Sequence, residues 1–291
     1  MVEENKIYCC DNLNLMKRLA DDSVNVILPD PPYLYLKNQK LDRPFDEQSF
    51  FSEAKRVLKK DGFIVLFGRG TSFYRWNCIL ADLGFVFKEE VIWNKKRISI
   101  PAHPLHRIHE TISIHTINGK INKCIIPYLE KRTHNIDSIV SDVKKIKSAL
   151  STNKLDSLIN FIETKQIIYT ERNKYKNFFA NSMNADRVVL VLKSMTCGLI
   201  ENSIIEQGRD HYNTIHPTQK PVRLLERLLA LVSKEGDLIL DPFSGSGSTA
   251  IAAHNLNRRF IGCEIDEEYY TLSADRLKKE IAQYELELEL F

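Results

Sequence analysis

The sequence predicts an α/β protein whose mostly parallel sheet carries helices on both faces. Short apolar runs alternate with stretches of helical spacing along most of the chain, an order typical of parallel sheets. Two of these runs end in turns rich in proline or glycine, at Asp30-Pro31-Pro32-Tyr33 and after Asp241. The composition changes over residues 118–185, which predicts an insert. Residues 1–117 and 186–291 then form one discontinuous domain.

Seven apolar runs are predicted to be strands, and helical spacing between them predicts helices. The predicted strands are Lys6–Cys9, Val24–Leu28, Phe63–Phe67, Val86–Trp93, Val188–Leu192, Leu238–Leu240 and Phe260–Cys263. The predicted helices follow Asp11, cover about Gln48–Lys59 and Ser72–Leu83, start at Thr218 or Gln219 with Pro221 in the first turn, follow Gly247, and cover about Glu267–Tyr284. The tail Glu285–Phe291 alternates Glu with Leu, which predicts an edge strand or a partner contact.

Positive charge is concentrated in the middle of the chain. Residues 118–181 hold 12 Lys and Arg against 6 Asp and Glu, whereas the rest holds 29 against 32, within a net charge of +3. This asymmetry indicates a polyanionic partner for the middle segment, with a solvated helical face as the plain alternative. Helical spacing predicts a helical insert, and its candidate nucleic-acid contacts are Lys144, Lys145, Lys147, Lys165, Arg172 and Lys174.

Cysteines and histidines do not form a pattern typical of a metal site. The six cysteines are scattered without a CxxC pair, and no apolar run is long enough to span a bilayer, which predicts a reduced, cytoplasmic protein without a membrane partner. His103, His106 and His109 are evenly spaced. However, Pro101 and Pro104 argue against a helix that would bring them to one face, so no metal is predicted.

An acid, two prolines and an aromatic residue stand where the second predicted strand ends, as Asp30-Pro31-Pro32-Tyr33. The prolines stop the strand and hold the residue before each in an extended conformation. The turn therefore offers a carboxylate, backbone carbonyls and an aromatic ring at a site where ligands bind in open α/β sheets. Asp11 also follows a strand, where it either caps a helix or reaches the same ligand.

A second strand end carries Asp241-Pro242-Phe243-Ser244-Gly245-Ser246-Gly247. Glycines in such a turn let a ligand approach the backbone, and an acid at the end of the next strand can bind ribose hydroxyls. Glu264 stands there, 19 residues beyond Gly245. An NAD-dependent oxidoreductase is an alternative on this motif, although only 50 residues follow Asp241 and the first half of the chain holds no hydride-transfer motif.

Together with a third element, His216-Pro217-Thr218-Gln219-Lys220-Pro221, the two turns resemble the β group of amino-group DNA methyltransferases. That family has the target-base motif first, a recognition region in the middle and the S-adenosylmethionine motif last, and this chain has the same order. The resemblance covers about Ile7–Trp93 and Val188–Leu277. It implies a Rossmann-like, seven-stranded sheet with the basic insert as its recognition region. The chain departs from the family at Pro29, where a small polar residue is more common, and at Cys10, where glycine is common.

The resemblance implies a role for each motif. Asp30, Pro31, Pro32 and Tyr33 form the catalytic turn. In the cofactor site, Glu264 binds the ribose hydroxyls, Asp11 meets the adenine amino group, and Thr218 and Lys220 approach the carboxylate end. The implied cofactor is S-adenosyl-L-methionine, and its full set of binding residues is Asp11, His216, Thr218, Lys220, Asp241, Phe243, Gly245, Gly247 and Glu264.

The implied activity is transfer of a methyl group to N6 of an adenine flipped out of DNA. Asp30 favours adenine, because cytosine-N4 members of the family more often have Ser there. Cytosine N4 is the nearest alternative, and an inactive DNA-binding homologue and an RNA or protein amino-methyltransferase are two others. The resemblance also admits a homodimer, a companion restriction endonuclease and a prokaryotic or phage origin.

Charge reversal in the insert tests its predicted role. Replacing Lys144, Lys145 and Lys147 by Glu should weaken DNA binding and flatten its salt dependence, because fewer counterions are released. DNA binding measured over a series of salt concentrations checks this. An unchanged slope would remove the insert from the DNA interface.

Overall fold

The computed structural model describes residues 2–33, 42–96, 105–132, 135, 137–138, 141–142, 145, 189–209 and 214–289. The chain divides into two compact units. Unit 1 combines Met1–Asn122 with Asn202–Phe291, and unit 2 is Lys123–Glu201.

Strands and helices alternate along most of unit 1. The described strands are β1 (Lys6–Cys9), β2 (Val24–Ile27), β3 (Leu58–Gly68), β4 (Val86–Asn94), β5 (His109–Thr116), β6 (Ile125–Ile126) and β7 (Leu199–Ile200) in unit 2, β8 (Ile204–Glu206), β9 (Leu238–Asp241) and β10 (Arg259–Glu264). The helices described with both ends are α1 (Asn12–Met16), α2 (Glu47–Val57), α3 (Gly70–Asp82), α4 (Tyr128–Lys131) in unit 2, α5 (Val222–Val232), α6 (Ser248–Asn255) and α7 (Glu267–Glu289).

The main sheet lies in unit 1. Its described strands number eight, in the order β1-β10-β9-β2-β3-β5-β4-β8. Five pairings are parallel, and only β5 pairs antiparallel, with β3 on one side and β4 on the other. The predicted mostly parallel sheet is therefore present.

Both faces of the central strands β3 and β9 are buried. Leu238, Leu240 and Ile64 pack in one cluster with residues of α1, α2 and α3. Their strand neighbours Ile239 and Val65 lie outside that cluster and are fully buried as well. Because successive side chains of a strand point to opposite faces, the second face must also be covered, and α5 and α6 contact β3, β9 and β10.

The parallel register brings four strand ends to one edge of the sheet. Cys9 of β1 pairs with Glu264 of β10, Gly262 pairs with Asp241 of β9, and Ile27 of β2 pairs with Leu240. The turns that follow these strands therefore emerge side by side. This edge is the carboxyl end, where open α/β sheets bind ligands.

Unit 2 is described only in part. Its strands β6 and β7 pair antiparallel, and residues 189–197 are helical. The Asp142 carboxylate accepts hydrogen bonds from the Tyr128 hydroxyl at 2.8 Å, Arg132 at 2.8 Å and Lys145 at 2.7 Å. Of the basic residues predicted to contact nucleic acid, Lys145 is described, and the following lie outside the described residues: Lys144, Lys147, Lys165, Arg172 and Lys174.

The predicted strand Val188–Leu192 is wrong, because residues 189–197 form a helix. Short apolar runs do not distinguish a strand from a buried helix. The Ser194 and Thr196 hydroxyls donate to the carbonyls of Leu190 and Leu192, and Gly198, at φ 85°, follows the last helical residue. Such a glycine is a common helix stop.

The sheet gains two strands that the sequence did not predict. One is β5, in the histidine-containing stretch, and the other is β8, a three-residue strand at the sheet edge next to β4. Because β5 lies between two strands with both faces covered, its residues from Ile112 to Thr116 are all buried. Its Ile112 and Ile114 alternate with Ser113 and His115, so the sequence holds a strand signal, but only two apolar residues carry it.

Three predicted boundaries also change. The tail does not form an edge strand, because α7 continues to Glu289, and Glu and Leu are both good helix formers. Helix α2 ends at Val57, since the buried Leu58 already pairs with Val24 in the sheet. Helix α5 begins at Val222 with Pro221 as its N-cap.

None of the described helices combines the length and the apolar composition needed to cross a bilayer.

Candidate functional site

A cavity of about 520 Å³ opens at the carboxyl edge of the sheet in unit 1, within the size range of small-molecule sites. It lies against both strand-end turns and the segment before α5. The predicted site residues that line it are Asp11, Asp30, Pro31, Pro32, Tyr33, His216, Thr218, Lys220, Asp241, Phe243, Gly245 and Glu264.

The turn after β2 is held by its own side chains and by α3. The Tyr33 hydroxyl donates to Asp30 Oδ1 at 2.6 Å, and the Ser72 hydroxyl donates to the Tyr33 carbonyl at 3.0 Å. The Tyr33 ring lies 6.3 Å from the ring of the buried Trp76. The carboxylate of Asp30 is therefore fixed at the cavity wall.

Lys220 binds the other oxygen of the same carboxylate. Its ammonium donates to Asp30 Oδ2 and lies 5.0 Å from the centre of the Phe67 ring. Burial alone would lower the pKa of Lys220, but the Asp30 and Glu110 carboxylates outweigh burial and hold this pKa above its ordinary value. Lys220 is therefore charged at neutral pH.

Glu110, on β5, is the carboxylate around which the cations of this part of the cavity gather. Its Oε1 lies 2.6 Å from Lys95 Nζ and 3.7 Å from Arg209, and its Oε2 lies 3.5 Å from Lys220 Nζ. Burial opposes ionisation of Glu110, but Lys220 and Lys95 outweigh it and lower the pKa to about 2. Glu110 is thus an ionised, buried carboxylate surrounded by cations.

The glycine turn donates a hydrogen bond to Glu264, the acid at the end of β10. The Gly245 N–H donates to Glu264 Oε2 at 2.9 Å, and the Asp266 N–H donates to Glu264 Oε1 at 2.9 Å. Gly245 and Gly247 have φ of 48° and 73°, in the left-handed region that favours glycine. Each carboxylate oxygen keeps a further lone pair for a ligand.

Asp241 lies beneath this turn and is buried. It accepts a hydrogen bond from the Phe243 N–H at 3.1 Å. Burial raises its pKa to about 7, and the charges of Asp30 and Glu264 act in the same direction, although a hydrogen bond from Thr249 opposes them. Asp241 therefore changes charge near neutral pH.

Asp11 caps α1 and also lines the cavity. Its carboxylate accepts from the Asn14 N–H at 3.1 Å, so the two roles left open by the sequence do not exclude each other. His216 packs its ring 4.4 Å from that of Tyr269, and its Nδ1 is 3.1 Å from the Thr218 hydroxyl. Burial lowers the pKa of His216.

A family model described as DNA methylase, of the N6/N4 type, matches residues 24–275. The chain belongs to this DNA methylase family. Its general activity is therefore that of a DNA amino-methyltransferase.

Two relatives illustrate the similarity. The methylase is 26% identical to the type II methyltransferase M2.DpnII of Streptococcus pneumoniae, over 93% of this chain and 88% of that protein. It is 25% identical to the type II methyltransferase M.HpaI of Haemophilus parainfluenzae, over 95% of this chain and 75% of that protein.

Two solved structures share the fold of the methylase. The M1.HpyAVI–SAM complex gives a TM-score of 0.55 at 19% identity, over 93% of this chain and 98% of that chain. The cytosine-N4-specific PvuII DNA methyltransferase gives 0.57 at 15% identity, over 98% and 93%. The predicted fold class is confirmed by these likenesses.

Sequence reasoning missed several residues of the methylase cavity, above all Glu110 and Arg209, which line it, and Lys95, which binds Glu110. Glu110 lies on β5, a strand that was not predicted. The signal available in the sequence is the alternation of Ile112 and Ile114 with Ser113 and His115, which follows Glu110 closely and indicates a strand. The described residues contain no group of three or more His, Cys, Asp or Glu side chains able to hold a metal ion. Gly247 lies outside the lining residues, and a Cβ at this position would lie 3.2 Å from Ile7 Cδ1 and 3.4 Å from Ser273 Cβ.

Asp241→Asn tests the electrostatics of the cavity. Between about pH 4 and pH 7 the native methylase holds a proton on Asp241 that the unfolded chain has released, since the pKa rises from 3.8 to about 7, so this group makes stability fall as pH rises. The variant should unfold with a higher free energy than wild type at about pH 8, by up to roughly 4 kcal/mol at about 1.4 kcal/mol per pKa unit. This difference should shrink towards about pH 4.

Denaturant unfolding at both pH values measures the difference. Asp61→Asn, at an exposed position of β3, is the matched control. A stability difference that is the same at both pH values would contradict the assignment.

Proposed function

We propose that this protein transfers the methyl group of S-adenosyl-L-methionine to N6 of an adenine flipped out of duplex DNA. DNA methylation is the activity of its family. The cofactor and the choice of adenine go beyond that general statement, and each has its own support.

One observation carries the proposal. A single cavity is lined both by the Asp30 turn and by the glycine turn with Glu264. One cavity that contains both a site able to bind an amine and a site able to bind a nucleoside suits the transfer of a group between two ligands. Reaction then requires chiefly that the two ligands be aligned, and such alignment is worth about 7–11 kcal/mol.

The cofactor suits the residues at the glycine turn. Carboxylates line this cavity at Asp11, Asp241 and Glu264, and in their ionised form they favour a ligand that carries a sulfonium and an amino group. Glu264 would hold the ribose hydroxyls and Asp11 the adenine amino group. The M1.HpyAVI structure, which shares the fold, is a complex with SAM. When bound, S-adenosyl-L-methionine supplies an electrophilic methyl group on sulfur.

Asp30 and Pro31 act on the target amine. The lone pair of an exocyclic amine is delocalised into the purine ring, which makes it a poor nucleophile. Hydrogen bonds from its two N–H groups to the Asp30 carboxylate and the Pro31 carbonyl favour a pyramidal nitrogen with a directed lone pair. Tyr33 and Lys220 each bind one Asp30 oxygen, so the carboxylate is already oriented before the amine arrives.

The target base must leave the duplex to reach this cavity. Unstacking costs a few kcal/mol, and stacking on the Tyr33 ring returns about 1–3 kcal/mol, the range for base–aromatic contacts. Because its hydroxyl is bonded to Asp30, Tyr33 links the position of the base to the position of the catalytic carboxylate.

Cytosine N4 is the second candidate target. The PvuII enzyme with the same fold is cytosine-N4-specific, but a likeness at this identity extends to the fold alone. Asp30 favours adenine, because cytosine-N4 members more often have Ser at that position. Contact of the basic insert with DNA, a homodimer, a companion restriction endonuclease and a cytoplasmic location stay predictions.

Mass spectrometry of nucleosides tests the target base. Duplex DNA is incubated with the protein and S-adenosyl-L-methionine labelled in its methyl group, then digested to nucleosides. The label should appear in N6-methyladenine and be absent with Asp30→Asn, the control variant. Label in N4-methylcytosine, or no label in DNA, would contradict the adenine assignment.

Substitution of Asp30 tests whether the target amine and the cofactor bind to separate parts of the cavity. Asp30→Ala should abolish methyl transfer and leave cofactor affinity nearly intact, because Asp30 lies outside the glycine turn. Asp30→Asn is its isosteric partner, which keeps a hydrogen-bond acceptor for Lys220. Calorimetry with S-adenosylhomocysteine measures the affinity, and lost cofactor binding in both variants would contradict the division.

A further inference from the structure

Glu110 belongs to none of the three motifs, yet a single cation separates its carboxylate from that of Asp30. Glu110 is only 8% exposed. Lys220 bridges the two carboxylates, because it binds Asp30 Oδ2 and lies 3.5 Å from Glu110 Oε2. A change at Glu110 therefore reaches the catalytic carboxylate through one ammonium group.

Glu110 Oε2 is buried and has no hydrogen-bond partner among the described residues. A buried carboxylate oxygen without a partner is costly. The nearest cation is the Lys220 ammonium, which has three donors and can bind both carboxylates with a small shift. Glu110 thus provides the second attachment that a flexible lysine side chain needs in order to stay in one place.

The cations around Glu110 outnumber the carboxylates. Two carboxylates, Asp30 and Glu110, face three cations, Lys95, Lys220 and Arg209. Lys95 and Lys220 are both buried, so their charges are weakly screened. Without Glu110, the Lys95 ammonium and the Arg209 guanidinium would lose the carboxylate that they contact, and Asp30 alone would pair with the Lys220 ammonium.

We propose that Glu110 is a positioning residue for methyl transfer, which holds the Lys220 ammonium against Asp30 and neutralises the cations behind it. This inference rests on the proposed function. It adds a residue from β5 to the machinery formed by the three motifs, and it assigns Lys220 to Asp30 and Glu110 instead of to the carboxylate end of the cofactor.

The positioning role predicts that loss of the Glu110 carboxylate lowers the rate of methyl transfer more than it lowers the affinity for the cofactor or for DNA. The target amine is neutral when it binds. It becomes cationic as the N–C bond forms and the methyl–sulfur bond breaks, with neutral S-adenosylhomocysteine as the leaving group, and it then loses one N–H proton to water. Uncompensated cations beside Asp30 therefore raise the energy of the transition state more than that of the bound complex. A disordered Lys220 would also loosen the Asp30 carboxylate that orients the amine.

Single-turnover methyl transfer with Glu110→Gln tests the proposal, and Glu90→Gln, an exposed glutamate on the neighbouring strand β4, is the matched control. The rate with Glu110→Gln should fall about tenfold or more, whereas the affinities for S-adenosylhomocysteine and for DNA should change by less than about threefold. Glu90→Gln should match wild type in all three measurements. An unchanged rate, or a cofactor affinity that falls as far as the rate, would overturn the proposal.

A second variant covers the case in which Glu110→Gln does not fold. Glu110→Gln combined with Lys95→Met removes one charge of each sign. Because both members of the Lys95–Glu110 ion pair are then uncharged, Lys95 no longer leaves a buried ammonium without its carboxylate. It should fold and bind S-adenosylhomocysteine, yet transfer the methyl group slowly, because Lys220 still lacks its second carboxylate. Transfer at the wild-type rate by this variant would overturn the proposal.

The two proposals fail in different ways. If wild type methylates no base in DNA, the proposed function fails. If wild type methylates DNA, at adenine or at cytosine, and Glu110→Gln does so equally fast, only the positioning role fails.

Discussion

The parallel pairing of β1, β10, β9 and β2 brings four strand ends to one edge of the sheet, and each end carries an acid: Asp11, Glu264, Asp241 and Asp30. Like charges this close would repel one another if all were ionised and unpaired. The surrounding residues must therefore compensate each carboxylate separately. On the proposed function, the differences in that compensation divide the cavity into a part for the cofactor and a part for the target base.

The acids differ in how they are accommodated. Backbone N–H groups bind both oxygens of Glu264, burial raises the pKa of Asp241 to about 7, and the start of α1 binds Asp11. Asp30 instead binds a tyrosine hydroxyl and a lysine that a second carboxylate, Glu110, also attracts. Environment in this way gives different roles to residues of the same type, as in other enzymes that use several carboxylates.

The sequence predicts the part of the fold that depends on local signals. Apolar runs followed by Asp-Pro turns locate β2 and β9, and the two turns line one cavity because parallel strands end at the same edge. The role of Glu110 was not predicted, because only two apolar residues, Ile112 and Ile114, mark β5 as a strand, and because its partners Lys220 and Arg209 lie far from it in the chain. The strand predicted at Val188–Leu192 fails for a related reason, since a short apolar run does not determine its own secondary structure.

Binding of a bisubstrate ligand tests the central claim most directly, namely that one cavity holds the cofactor and the target amine together. The ligand joins an adenine, through its N6 atom and a short linker, to the 5′ carbon of adenosine. Glu264→Gln and Asp30→Asn should each weaken its binding by about tenfold or more, whereas only Glu264→Gln should weaken the binding of S-adenosylhomocysteine to that extent. If Asp30→Asn binds the bisubstrate ligand as tightly as wild type does, Asp30 does not hold the target amine and the account is contradicted.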